Sequence, residues 1–525
     1  MTKTSVSGES DYLAADRVDT RRRIRLRRPQ TAPISDEVDD TGLREKVTRG
    51  LGWKLLTVTI AQLSQSFVAI LLAHLLLPQD FGLAGMALAF SGIASILTDL
   101  SLGAALVQRR VLTERDRSTV FWTTAAGGLL WCLVGIAISP LVADFFSEPQ
   151  VAPLFAAVSV GFLFLALAQT QTALLTREMR FRSLQLRQIA ATLVGAVVAV
   201  ALALAGAGAW AIIAQLLCTY GISTVLLWTV SPWRPQFVFS RESFRTLGSF
   251  GVKSLLSKLL LYINLNGDNL LIGRFLGTEA LGIYAVAYNV MLLPMSRVTM
   301  PIRDVFYAAF ARLQHDPRRL GDAWLRVNRL ASAVVVPAFV GLLVVAPDFV
   351  PVVLGSKWDS VIPVLQLLSL AGIAQSFQSF NGNVYQAYGR PGLFLTFMLF
   401  STTVTFGGFV IGLHWRVAGV AGSFAVARTI VLFANTWQMC RLIKLSLART
   451  FRSYVEVLWK ATFMGIVVYG SRVALIHWGA PAWARLLILT ILGAGVYFGL
   501  VARWSSDLIA ELRTALRRKA AQQPA

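Results

Sequence analysis

A chain of 525 residues that is 55% hydrophobic and only 14% charged, with a mean hydropathy of +0.62, is too apolar for a soluble protein of ordinary composition. Its 49 Lys and Arg against 27 Asp and Glu leave a net +22; the cations gather at the ends of apolar runs, which excludes nucleic acid as the partner they serve and fits membrane topology instead. Cys132, Cys218 and Cys440 all lie inside apolar stretches, with no CxxC spacing and no accompanying histidine, so neither a disulfide framework nor a metal site is expected.

The chain therefore reads as an all-α polytopic membrane protein. Residues 1–46 are polar and carry RRRIRLRR at Arg21 to Arg28, predicting a disordered basic tail held on the cytoplasmic side. No apolar core with a small-residue cleavage site stands near the start, so the first span is expected to stay as an uncleaved anchor. About fourteen apolar windows of spanning length follow. In the first half they are 51–77, 81–107, 119–143, 151–175, 187–206 and 209–230; in the second, 248–273, 279–301, 325–347, 360–388, 393–413 and 417–440, then 455–477 and 482–503. Pro78, Pro149, Gly206, Pro232, Gly277, Pro391 and Pro481 mark the short connections. The division predicted is an N-lobe over 50–230, a cytoplasmic linker over 231–247, a C-lobe over 248–442, a C-terminal helix pair over 443–504 and a cytoplasmic tail over 505–525.

Lys and Arg alternate between these connections. Arg109, Arg110, Arg115 and Arg117 form one basic group, Arg177, Arg180, Arg182 and Arg187 another, and further groups follow at Arg234, Arg312 and Arg441 and at the C-terminus. The intervening connections hold none, or single cations such as Arg274, Lys357 and Arg416. Both termini are thus expected in the cytoplasm, with an even number of spans; the connection at Arg390 is the weakest member of the inner set.

The window from Ser249 to Gly273 departs from the rest. It has spanning length, yet it holds Lys253, Lys258, Asn264, Asn266, Asp268 and Asn269, which hydrocarbon excludes unless they face protein or a water-filled cavity. At helical spacing Lys258, Tyr262, Asn266 and Asn269 share one face, and Lys253, Ser257, Asn264 and Asp268 a second. The window also belongs to a repeat offset by 200 residues: LLLPQDFGLAGMALAF from Leu75 lines up with FLGTEALGIYAVAYNV from Phe275, Gly82 with Gly282 and Ala87 with Ala287. Two six-helix halves that share a polar first helix imply a pseudo-symmetric pair of bundles around a central cavity.

These residues carry a resemblance. The segment xLxPxxFGLxxMA, its echo LGTEALGIYAVAYN and the helix end YINLNGDNLLIGRFLG resemble the polysaccharide-exporting flippases of the multidrug/oligosaccharidyl-lipid/polysaccharide exporter superfamily, over roughly Gly50 to Arg441. The resemblance implies a non-enzymatic carrier of the cytoplasmic membrane, without cofactor, that translocates undecaprenyl-pyrophosphate-linked oligosaccharide to the outer leaflet by rocking of two six-helix lobes. Its implied partners are that lipid-linked substrate, membrane lipids, a polysaccharide polymerase and glycosyltransferases.

Such a substrate needs cations for phosphate, amides and hydroxyls for sugars, and an apolar gap for the polyprenyl tail. Lys258 is the deeper candidate cation; Lys253 either joins it or snorkels to the interface. Asp268 balances a lysine or, better, pairs with Arg274. Gln375, Gln378, Asn381 and Tyr385 line the window 360–388, with Gln375, Gln378 and Tyr385 on one face, and interhelical hydrogen bonding accounts equally well for each of them alone. Arg428 and Asn435, seven residues apart, present a second deep cation with an amide beside it. His74 and Asp99 are candidates for ion coupling, weighed against packed, hydrogen-bonded roles. A glycosyltransferase or ligase needs a larger outward domain than these connections allow. A drug exporter predicts an acidic cavity, and a peptidoglycan-precursor flippase shares the pyrophosphate.

Overall fold

The computed structural model describes residues 65–99, 102–109 and 112–504, all within one compact unit spanning Gly52–Ala525. The two tails predicted for 1–46 and 505–525 lie outside the described residues. Among the described residues every regular element is a helix: α1 (Gln65–Leu75), α2 (Pro78–Asp99), α3 (Leu102–Gln108), α4 (Glu114–Phe146), α5 (Val151–Arg177), α6 (Phe181–Leu204), α7 (Ala209–Val230), α8 (Arg241–Arg312), α9 (Pro317–Val353), α10 (Val361–Ser376), α11 (Asn381–Ala387), α12 (Pro391–Gly412), α13 (Arg416–Leu442), α14 (Leu447–His477) and α15 (Ala482–Trp504). Two short 3₁₀ turns, Ser356–Trp358 and Leu413–Trp415, precede α10 and α13. Nine helical stretches among the described residues are long and apolar enough to cross a membrane. The stretch in α14 is not one of them, because Lys460 and Arg472 interrupt its apolar run.

Local chemistry sets the ends. Thr113 opens α4 with a reciprocal cap, its hydroxyl accepting from the Asp116 N–H at 3.2 Å while the Asp116 carboxylate accepts the Thr113 N–H at 3.0 Å. Asp316 caps α9 by accepting from the N–H groups of Arg318 and Arg319, with Pro317 at the first helical position. Gly277 takes φ +86° and interrupts α8, a conformation open to glycine and strained for other residues.

One window read as a single span is broken. Residues 360–388 divide into α10 and α11 at Phe377–Phe380, where the Phe377 carbonyl leaves the helical ladder and accepts instead from Asn328 Nδ2 at 2.7 Å and Tyr454 Oη at 3.4 Å.

Helix α2 lies along α8 in a reciprocal crossing. A Cβ on Gly82 would stand 1.8 Å from the Thr278 carbonyl oxygen, and one on Gly282 1.8 Å from the Pro78 carbonyl oxygen. Each glycine thus meets the residue 200 positions from the other's partner, which is the sequence repeat expressed as a contact. The adjoining helix ends repeat the exchange. At the end of α1, the Ala73 carbonyl accepts from Trp358 Nε1 and the His74 carbonyl from Lys357 Nζ, both at 2.8 Å. Where α8 approaches Gly277, Arg274 Nη1 donates to the Phe145 carbonyl at 2.6 Å and Ser147 Oγ at 2.8 Å, at the end of α4. Between lipid-like surfaces, such close backbone approach at small residues is a main source of helix association.

The core around this crossing joins α2, α4, α5, α8, α9, α10 and α13, with Phe155, Leu281, Tyr284, Phe339, Trp358 and Leu365 closed off from solvent. Helices α14 and α15 attach to α9 through charge. Glu456 is shared by Arg329 at 2.6 Å and Lys460 at 2.8 Å, and Asp348 by Arg472 at 2.5 Å and Arg485 at 2.6 Å.

Candidate functional site

The second segment of α8 and the middle of α13 build the site. Tyr284 and Tyr288, one turn apart, stack with their centroids 5.9 Å apart, and Tyr288 leans on Phe424 of α13 at 6.3 Å. Phe424 is backed by Phe409 of α12, and one turn beyond it Arg428 lies with its guanidinium carbon 4.8 Å from the Phe424 ring centre. The i, i+4 spacing of Phe424 and Arg428 makes that cation–π contact a property of the helix itself.

Arg428 is only 8% exposed. Its charge acts on Asp268 and on the hydroxyls of Tyr284 and Tyr288, yet among the described residues no carboxylate stands within the 4.0 Å of an ion pair, and its buried Nε has no acceptor. A cation at this depth without a bonded counter-charge is costly for folding and available to an anion.

Asp268, 3% exposed, is held separately. Its Oδ2 accepts from Tyr284 Oη at 2.8 Å and its Oδ1 from the Asn269 N–H at 2.9 Å. The expected pairing with Arg274 does not form: six residues set the two on different faces of α8, and Arg274 is spent on the end of α4. Removing one donor from a buried carboxylate costs about 2 kcal/mol. Tyr284→Phe is accordingly expected to lower the melting temperature of the detergent-solubilised protein, and an unchanged temperature would show that Asp268 is held without it.

On its other side Arg428 adjoins an amide network. Gln378 Nε2 donates to the Arg428 carbonyl at 3.4 Å, Asn435 Nδ2 donates to Gln378 Oε1 at 3.1 Å, and Tyr385 Oη donates to Gln438 Oε1 at 2.8 Å while lying 3.2 Å from Asn435 Oδ1. Gln375 Oε1 is buried without a partner. Asp268, Gln378, Tyr385, Arg428 and Asn435 are therefore brought into one region, which Asn269 joins only through its backbone N–H.

Other candidates are placed elsewhere. Tyr262 Oη donates to the Ala89 carbonyl of α2 at 2.8 Å, Asn264 donates to Thr402 of α12, and Asn266 returns to the carbonyl of Tyr262 in its own helix. Asn381 accepts from Trp324 Nε1 at 2.9 Å, inside the apolar cluster that also packs around Tyr385. His74 is exposed at the end of α1, its Nδ1 3.0 Å from the Ile70 carbonyl. The side chains of Lys253, Lys258 and Asp99 lie outside the described residues. Tyr284, Tyr288 and Phe424 were absent from the sequence-derived set; the four-residue spacings Tyr284/Tyr288 and Phe424/Arg428 were the available signal. Among the described residues no group of three His, Cys, Asp or Glu is arranged to hold a metal ion.

Comparison with known proteins adds a lineage to this geometry. The family described as "Polysaccharide biosynthesis protein" matches residues 71–363, more than half of the chain. The chain is 28% identical over 418 residues to the teichuronic acid biosynthesis protein TuaB of Bacillus subtilis, covering 78% of this chain and 86% of that one. It is 28% identical over 428 residues to the lipopolysaccharide biosynthesis protein WzxC of Escherichia coli, covering 81% and 86%, and 26% identical over 486 residues to the succinoglycan biosynthesis transport protein ExoT of Rhizobium meliloti, covering 91% and 97%. In fold it is similar to the solved lipid II flippase MurJ in an inward closed conformation, with a TM-score of 0.71 at 14% identity over 87% of this chain and all of that one.

Proposed function

This chain belongs to the polysaccharide biosynthesis protein family, and on that premise we propose that it is a flippase carrying undecaprenyl-pyrophosphate-linked oligosaccharide repeat units across the cytoplasmic membrane for surface polysaccharide synthesis. The observation that carries the reading is Arg428, a buried guanidinium held against Phe424 and, among the described residues, bonded to no carboxylate. An anionic phosphate is the ligand that such a group recognises in two-point geometry.

In this reading Arg428 takes the phosphates, and Gln378, Asn435 and Tyr385 offer amides and a hydroxyl to the sugars. Asp268 stays out of contact with the guanidinium and leaves it free for cargo. The polyprenyl tail has an apolar groove of about 940 Å³ between α9, α10, α13 and α14. That groove shares Ala374 and Thr429 with the helices of the site, and these lie four residues before Gln378 and one after Arg428.

The finer architecture belongs to the same proposal: fourteen spans, two six-helix lobes with α14 and α15 appended, both termini in the cytoplasm, and alternating access. The reciprocal Gly82 and Gly282 contacts support the two-lobe arrangement. The alternation of Lys and Arg supports the orientation. A polymerase and glycosyltransferases would supply and consume the cargo.

The test is mass spectrometry of polyprenyl-linked lipids from cells with and without the protein. Loss of the protein is expected to make an oligosaccharide pyrophosphate lipid accumulate. Unchanged lipids with retained cationic dyes would replace the reading with drug export.

A further inference from the structure

One charged cluster and one groove remain outside this scheme, and they adjoin. Asp348 of α9 is fully buried and holds two arginines. Arg485 of α15 approaches Oδ1 with Nε at 2.8 Å and Nη2 at 2.6 Å, and its Nη1 is used on the Ala480 carbonyl. That arginine alone neutralises the carboxylate. Arg472 of α14 adds a second cation through Nε at 2.5 Å to Oδ2; its terminal nitrogens have no acceptor among the described residues, and its side chain is 18% exposed. The cluster thus carries a surplus positive charge with open donors near the ends of α14 and α15, a half-buried charge that is costly unless something anionic meets it.

Beside it runs an apolar groove of about 350 Å³ between α9, α14 and α15, walled by Val345, Phe349, Met464, Val468, Leu486 and Leu489 among others. All three charged residues stand at the same end of it. Asp348 precedes Phe349, Arg485 precedes Leu486, and Arg472 lies one turn beyond Val468. Along α9 the lining runs from Ala333 to Phe349, roughly 24 Å at the helical rise, enough to receive a chain reaching past the middle of a hydrocarbon layer of about 30 Å.

We propose that this groove and its cationic end form a binding site for an anionic phospholipid, the phosphate on the terminal nitrogens of Arg472 and one acyl chain along α9. The site is separate from the cargo region: it uses no residue of α10 or α13. Its ligand is a component of the surrounding bilayer, chosen over a zwitterionic lipid by charge complementarity, since the amine of a zwitterionic headgroup brings a like charge toward the two arginines.

The experiment is native mass spectrometry of the full-length protein released from mixed micelles containing phosphatidylglycerol or phosphatidylcholine. The wild type is expected to retain phosphatidylglycerol, and Arg472→Gln to retain about tenfold less, the scale of one lost charge-assisted contact. Thr490→Trp, which fills the groove from its exposed side and leaves the charges in place, is expected to lose the adduct as well. Arg428→Ala is expected to keep it. Equal retention of the two lipids by the wild type overturns the proposal, as does equal retention of phosphatidylglycerol by the wild type and both groove variants. Retention of undecaprenyl phosphate without phosphatidylglycerol overturns the bilayer-lipid assignment and gives the site to the carrier lipid.

Discussion

Arg428→Ala is expected to stop export while leaving the protein at least as stable as before. Function and stability separate here because the Arg428 guanidinium stacks on Phe424 at 4.8 Å with an orphaned Nε and, among the described residues, no ion pair, while being 8% exposed. Truncating one member of a desolvated charge pair costs about 2–5 kcal/mol of binding, so cargo recognition should weaken by about thirtyfold or more. Removing a charge from the bilayer interior meanwhile lifts an insertion cost of about 2.5–3.5 kcal/mol. Arg428→Lys should fall between, keeping the charge without the planar fork. Accumulated lipid-linked oligosaccharide reports the first effect and thermal unfolding in detergent the second. Normal export by the alanine variant would take Arg428 out of the cargo path, and a collapse in stability would recast it as a structural residue.

The second large effect is predicted where no functional group is involved. Gly82→Ala and Gly282→Ala each drive a methyl group to 1.8 Å from a backbone carbonyl oxygen. That neighbour cannot rotate away, so the helices must separate. Overpacking against side chains costs about 1–3 kcal/mol; against backbone the upper end or beyond is expected, seen as loss of monodisperse protein in size-exclusion chromatography of a fluorescent fusion. Because the contact is reciprocal, the two substitutions should be equally damaging. Gly127→Ala, with nothing within 4 Å, is the matched control and should behave as wild type. A Gly282→Ala protein that elutes like the control would mean that the crossing is not close-packed.

The sequence made the helical class plain because hydropathy and connection lengths are one-dimensional properties. The repeat was visible for a related reason: a contact between positions 200 apart leaves matched glycines behind. The break at Phe377 was not legible, since it depends on partners such as Asn328 and Tyr454 drawn from distant helices. The site was legible in part. Polar residues at membrane depth singled out Asp268, Gln378, Tyr385, Arg428 and Asn435, but the partner of Asp268 was misjudged. Asp268 bonds Tyr284 rather than Arg274, because sequence distance along one helix says little about which face meets which neighbour. The clasp on Asp348 escaped notice, because Arg472 and Arg485 read individually as weak topology signals while their shared carboxylate lies more than 120 residues upstream.

The helix-end contacts beside the crossing divide their roles unevenly between the halves. All the donors, Arg274, Lys357 and Trp358, come from the second half, and every acceptor in the first half except Ser147 Oγ is a main-chain carbonyl. A carbonyl is supplied by any amino acid. The bonds to Ala73, His74 and Phe145 therefore do not depend on the side chains there, although the Phe145 ring adds a cation–π contact with Arg274 at 5.7 Å, whereas the three donors are fixed by their side chains. Any state in which the halves part here must give up all of these bonds together. A mutational scan confined to the first half would meet this fastening only at Phe145 and Ser147, while in the second half it would surface at all three donors.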